Sequence, residues 1–347
     1  MKTLKSKITQ TNYSKLVLNQ SKLILLFIAI SLFSLTSCKS DENDKEDEKP
    51  DGIALNNRFN ENRQDAIQLF NEEACSGCIL SVTGSQGTKV TFPANSLGLN
   101  GTPITGNIQI ELIEIYGKAD MILQDVSSKG KKPNGDEEAL NSAGEFFVNA
   151  KQNGTQLEIL TPITIESKRV SPEEWTQMGV FKAGDNLEDK DVWEEADENG
   201  DQEPDQANGR DGEGPNGTYV MYSVFDTSSF GWSNLDKWYN YTGQLTDLFV
   251  DVPSEFDGDN CAVYLSYDGE TGLARMDIYD AAQELFTEHY GRIPVGKEVH
   301  FIMIAEVGGV LQYAIQPATI VNGHIEVITT LQPTTEAQLN TLLDALP

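Results

Sequence analysis

The feature that most constrains the fold is a recurrence of short β-branched and aromatic runs, each broken by turn residues. Lys89-Val90-Thr91-Phe92, residues 108–113, 145–150 and 157–160, and Ile163-Thr164-Ile165 form a first series, separated by Gly98-Leu99-Asn100-Gly101 and Gln152-Asn153-Gly154. A second series follows at 219–225, 246–250, 261–267, 299–305 and 324–328. Many short strands at this spacing imply an antiparallel sandwich or barrel. The expected fold class is mainly β, with two antiparallel β-sandwich-like domains at 58–170 and 218–332. Short helices are expected near 58–74, where several of Phe59, Ala66, Ile67, Leu69 and Phe70 meet on one face, and near 335–345 within a terminal segment 333–347. Thr335 and Gln338 there have capping-box spacing.

The N-terminus carries a different signal. Lys2, Lys5, Lys7, Lys15 and Lys22 precede an apolar stretch of thirteen residues, Leu23 to Leu35, which is too short to span a bilayer and has the length of a secretory h-region. Leu35-Thr36-Ser37-Cys38 then reads as a lipobox. Residues 1–37 are expected to be a lipoprotein signal peptide, with Cys38 lipidated and anchoring the mature chain to a membrane. Residues 38–57 begin with a run of charged and polar side chains through Pro50 that cannot bury enough surface to offset its ordering entropy, so a disordered acidic tether is expected.

Without the leader the chain keeps 20 basic residues against 54 acidic ones, a net charge of −34. That balance disfavours nucleic acid and favours cations and basic partners. The densest acidic stretch lies in residues 171–217, which are expected to be a partly disordered insertion. Within it, Asp197, Asn199, Asp201, Asp205 and Asn208 fall at positions 1, 3, 5, 9 and 12 of a loop, a spacing that resembles the calcium loops of thrombospondin type 3 repeats. Gln202 stands at position 6, where such loops usually carry Gly, and tandem copies are absent. A solvated acidic loop without metal explains the same residues.

Cys75-Ser76-Gly77-Cys78 has the spacing of a redox motif or of half a zinc site. A redox motif wants a βαβ setting and zinc wants a second ligand pair, so a local disulfide between Cys75 and Cys78 is the expected state. Cys261 stands apart, and His289, His300 and His324 are scattered. Gly-x-Ser-x-Gly and His-Glu-x-x-His do not occur. Trp232, Trp238, Tyr239 and Tyr241 could stack on sugar rings or pack in a core.

Several blocks resemble a known family. Residues 90–97, 101–106, 120–123 and 142–147, followed by 178–181, Val192-Trp193 and 230–237, are similar to uncharacterised lipoproteins of the Bacteroidota whose first β-domain resembles the ZU5 domain. In that family an acidic run after the lipidated Cys resembles a surface-export signal. ZU5 domains elsewhere are interaction and scaffold modules, and some self-cleave at His-Phe-Ser; here His300-Phe301 is followed by Ile302. The resemblance implies a lipid-anchored outer-membrane protein, displayed at the cell surface, that binds a protein or polysaccharide without enzymatic activity. No cofactor is expected, with calcium as the alternative. The other readings are a calcium-stabilised adhesin and an enzyme acting on envelope polysaccharide through carboxylates that only the fold would bring together.

Overall fold

The computed structural model describes residues 49–168, 178–190, 192–213, 219–239, 241–288 and 293–347. The chain is mainly β, with several antiparallel sheets and three helices among the described residues. One sheet runs in the order Gln68–Ala74, Gly106–Ile115, Glu137–Gln152, Gly231–Trp238, Gly179–Lys182, Trp193–Glu195, Lys129–Lys131. Lys129–Lys131 also pairs back onto the start of Glu137–Gln152, so the last five strands of this path close on themselves. A five-stranded sheet, Asn208–Glu213, Tyr219–Thr227, Ile163–Lys168, Lys89–Phe92, Leu80–Thr83, faces it. Val90, Phe92, Ile110, Phe146, Ile165 and Phe225 fill the space between them.

The C-terminal part is a second sandwich. Its sheets are Leu273–Arg275, Cys261–Tyr267, Glu298–Val307, Val310–Thr319, Gln332–Pro333 and Ile278–Asp280, Leu285–Thr287, Leu248–Asp251, His324–Val327. Val250, Val263, Phe286 and Phe301 form its core. A third apolar cluster joins the two sandwiches: Ile113, Phe147, Trp193 and Trp232 from the first meet Tyr264, Ile302 and Ile304 from the second, with Leu55, Phe59, Leu339 and Leu343 of two helices alongside. Residues 49–347 therefore form one compact unit.

Three sequence expectations shift at this level. The first helix is Gly52–Asp65, capped by the Asp51 side chain, which accepts from Ala54 N at 2.9 Å. It stops before the span 58–74 is complete because Gln68–Ala74 alternates partly buried and exposed positions and pairs residue for residue with Gly106–Ile115. The sheets also divide later than residue 218. Tyr219–Thr227 pairs with Ile163–Lys168 and Gly231–Trp238 with Glu137–Gln152, so both belong to the first sandwich. Finally, the described part of 171–217, expected to be a partly disordered insertion, contributes three short strands, Gly179–Lys182, Trp193–Glu195 and Asn208–Glu213, joined by turns and loops. Val180, Phe181, Trp193 and Ala196 are buried between the acidic residues, and their burial anchors the segment. The terminal helix, Glu336–Asp344, carries the capping box read from Thr335 and Gln338, with both reciprocal hydrogen bonds formed.

Candidate functional site

Cys38 and His289 lie outside the described residues. Cys75 and Cys78 are joined by a disulfide across a tight turn, their Cα atoms 5.3 Å apart. Cys78 N donates to Cys75 O at 3.1 Å, closing the turn between Gln68–Ala74 and Leu80–Thr83. Cys261 is a buried free thiol, and burial pushes its pKa up, away from the reactive thiolate. Trp232 sits in the core against Phe147 and Trp193, Trp238 packs on Phe181, and Tyr239 stacks on Tyr267. These three aromatics pack against other rings of the fold, whereas Tyr241 is exposed and donates its hydroxyl to Val295 O at 3.4 Å.

The acidic loop is built on its own backbone. Asp197 Oδ2 accepts from Gln202 N at 3.1 Å, Asn199 Oδ1 from Asp201 N at 2.8 Å, and Asp201 Oδ1 from Glu203 N at 2.9 Å. Asp205 accepts from Glu198 N at 2.7 Å and from Asn199 Nδ2 at 3.3 Å. Asn208 has left the loop and opens a strand, paired with Val224. Among the described residues no three His, Cys, Asp or Glu side chains are grouped so as to hold a metal ion.

What the sequence did not reveal is the cleft beside this loop. Lys182, at the end of Gly179–Lys182, directs Nζ to Thr227 Oγ1 at 2.6 Å and Ser233 Oγ at 3.1 Å, with Glu198 Oε1 at 3.6 Å. Glu198 in turn accepts from Ser228 N at 3.2 Å, from Thr227 Oγ1 at 3.2 Å and from the Ser228 hydroxyl. Burial lowers the Lys182 pKa, with Glu198 opposing. Burial alone would raise Glu198, but the Ser228 hydrogen bonds and Lys182 outweigh it and hold the carboxyl below its ordinary value. A lysine of lowered pKa beside hydroxyls is a geometry used for nucleophilic catalysis. Here Thr227 and Ser233 are buried, and Ser228 is held on Glu198, so the arrangement ties a strand, a loop and a turn together.

Two cavities flank this tie, of about 630 and 520 Å³, and both are lined by Glu198 and Ser228. The larger adds Glu194, Glu195 and Asp197, the smaller Asp201, Glu203, Asp205 and Asp226. Glu195 is fixed by Trp238 Nε1, which donates to it at 2.6 Å.

A second polar constellation is buried. Glu145 and Asp236 lie on the paired strands Glu137–Gln152 and Gly231–Trp238, where the register shifts between Asn234 and Asp236. Gly144 precedes Glu145 at φ +136°, a backbone state that a Cβ would strain, and that Cβ would meet Phe146 and Tyr116 within 3 Å. Asn234 Nδ2 donates to Asp236 Oδ2 at 2.7 Å, while Asp236 Oδ1 and both Glu145 oxygens have no hydrogen-bond partner. Burial pushes Asp236 up to about 8 against the opposing bonds from Ser142, Asn234 and the Ala143 amide. Burial, then the neighbouring Asp236, raises Glu145 well above its ordinary range, with Lys190 opposing. Nearby, Asp125 accepts from Tyr264, from Arg275 Nη1 at 2.7 Å and from Lys190 Nζ at 3.3 Å, linking both sandwiches. Carboxyls so perturbed are candidate acids or bases when a substrate can reach them. Glu145 and Asp236 are 0% exposed and line neither cavity, so their chemistry faces inward.

No protein-family model matches the chain, and a search of curated proteins returns no match.

Proposed function

We propose that this chain is a lipid-anchored, non-enzymatic binding module of the cell envelope, held at the outer membrane through Cys38 and displayed at the cell surface on its acidic tether. The observation that carries the binding reading is the pair of open, acid-lined cavities sharing Glu198 and Ser228, in which the reactive-looking Lys182 is occupied in holding the fold. The lipobox at 35–38, the charged run after it and the resemblance to ZU5-like lipoproteins support the location. A polysaccharide hydrolase would need two carboxyls facing across an accessible cleft. The strongly perturbed pair, Glu145 and Asp236, is enclosed in the core instead. Fatty-acid labelling of the chain and of Cys38→Ala tests the anchor: label should enter the first only, and the variant should leave the membrane fraction. Label in the variant would refute the assignment of Cys38.

One observation favours a calcium-stabilised form of the same module. Gln202, at the loop position that usually carries Gly, has φ +72°, a left-handed state that Gly adopts without strain. Calcium would then raise the melting temperature and a chelator lower it; an unchanged melting temperature would remove this form.

A further inference from the structure

Ser142, Glu145, Asn234 and Asp236 meet on one face of two paired strands, with Glu145 opposite Asn234 and Ser142 opposite Asp236. Their neighbours Phe146 and Leu235 fill the core of the first sandwich, so the four lie on the other face, the one that carries Phe147 and Trp232. Asn234 holds the group together. Its Oδ1 accepts from Ser142 Oγ at 3.1 Å, and its Nδ2 donates to Asp236 Oδ2 at 2.7 Å. We propose that these four side chains form a buried site for a hard divalent cation, calcium by its donor set, separate from the acidic loop and independent of the binding reading above.

The orphaned oxygens carry the inference. Both Glu145 oxygens and Asp236 Oδ1 belong to side chains that are 0% exposed, and none of the three has a hydrogen-bond partner. Buried polar atoms are nearly always partnered, so such orphans mark the place of a water or an ion. Protonation does not remove the difficulty. A neutral Glu145 carboxyl carries an O–H that needs an acceptor, and no protein atom within hydrogen-bond reach supplies one. One water has two hydrogens for three open acceptors and leaves two carboxyls of like charge together, whereas a divalent cation partners all three and cancels that charge. With Asn234 Oδ1 and Ser142 Oγ, the two carboxyls offer six side-chain oxygens, the least that calcium takes, and no sulfur or imidazole that would select zinc or copper. Only two of the four residues are acidic, so the set differs from a cluster of three His, Cys, Asp or Glu. Lys190, whose charge acts on Glu145, does not stand in for the ion: its Nζ lies on Asp125 at 3.3 Å, and Glu145 accepts nothing from it. Both strands are irregular here, through the register shift between Asn234 and Asp236 and the φ of +136° at Gly144, and such irregularities re-aim side chains toward a site.

The test uses the full chain purified in detergent micelles from calcium-supplemented cells and dialysed against EGTA, with calcium per chain read by elemental analysis. The native chain should keep about one ion, because all four residues are buried and exchange requires the fold to open. Glu145→Gln combined with Asp236→Asn should lose the ion. Asp197→Asn combined with Asp201→Asn, on the exposed loop, should keep it. A second readout needs no variant: when the native chain, freed of EGTA, is melted in the presence of a calcium indicator, release should coincide with global unfolding. A dialysed native chain without calcium would show bridging water only and overturn the inference. Retention in the Glu145/Asp236 double variant, loss in the loop variant, or release well before unfolding would overturn it too, since each puts the ion elsewhere.

Discussion

Glu145 and Asp236 place two carboxyl groups in the core on adjacent strands, one on either side of a register shift, with three of their four oxygens lacking a hydrogen-bond partner. Burial disfavours the charged form of both groups, and the raised pKa of Asp236 makes stability depend on pH. The ordinary value for Asp236 is 3.8 and its folded value is about 8. Between these limits the folded chain binds more protons than the unfolded one. The contribution of Asp236 is therefore most favourable below about pH 4 and is lost progressively as pH rises through about 8.

Asp236→Asn should remove that slope. At pH 5 the variant is expected to be equal to or slightly less stable than the native chain, by about 1 kcal/mol, because the amide group replaces a carboxyl whose Oδ2 accepts from Asn234 Nδ2. At pH 9 the order should reverse. Thermal melts of both chains from pH 5 to 9 check this, and parallel pH profiles would contradict the assigned burial.

The tie between Lys182 and Glu198 should behave as a structural pair. Glu198→Gln leaves the Lys182 ammonium, largely buried, without its counter-ion and should cost about 1–3 kcal/mol in denaturant melts. Adding Lys182→Met removes the stranded cation and should restore part of the loss. If the double variant loses as much as the sum of the two single ones, the groups act independently.

The Cys75–Cys78 disulfide closes a very short loop, so its effect on the unfolded chain is small. Cys75→Ser with Cys78→Ser should cost about 2 kcal/mol by loop-closure entropy and leave the rest of the fold intact. A native chain whose mass increases by two hydrogen atoms on reduction, two electrons from the reductant and two protons from water, reports the bond. A loss of tertiary signal in the variant would show a larger role than a turn staple.

What could be read from the sequence follows the range of the interactions. The terminal helix was legible because Thr335 and Gln338 cap it within three residues. The mainly β class was legible from side-chain type and turn chemistry. Residues 68–74 were not, because Phe70 and Ala66 suit a helix face as well as a strand, and the choice was made by pairing with Gly106–Ile115. The acidic segment looked partly disordered by composition, which gave no sign that Val180, Phe181 and Trp193 of its described part are buried among partner strands. The site was least legible of all. Lys182 reaches Thr227 across 45 positions and Glu198 reaches it across 29, so no local spacing announces their meeting. The Cys75–Cys78 pair, three residues apart, needed no such assembly.

The most direct measurement is protease shaving of intact cells, comparing this chain with a periplasmic control and with Cys38→Ala. The account predicts that the native chain fractionates with the outer membrane and is digested while the control survives, and that the variant is released from the membrane. A native chain protected from protease would contradict surface display, and a variant that stays in the membrane fraction would contradict anchoring through Cys38.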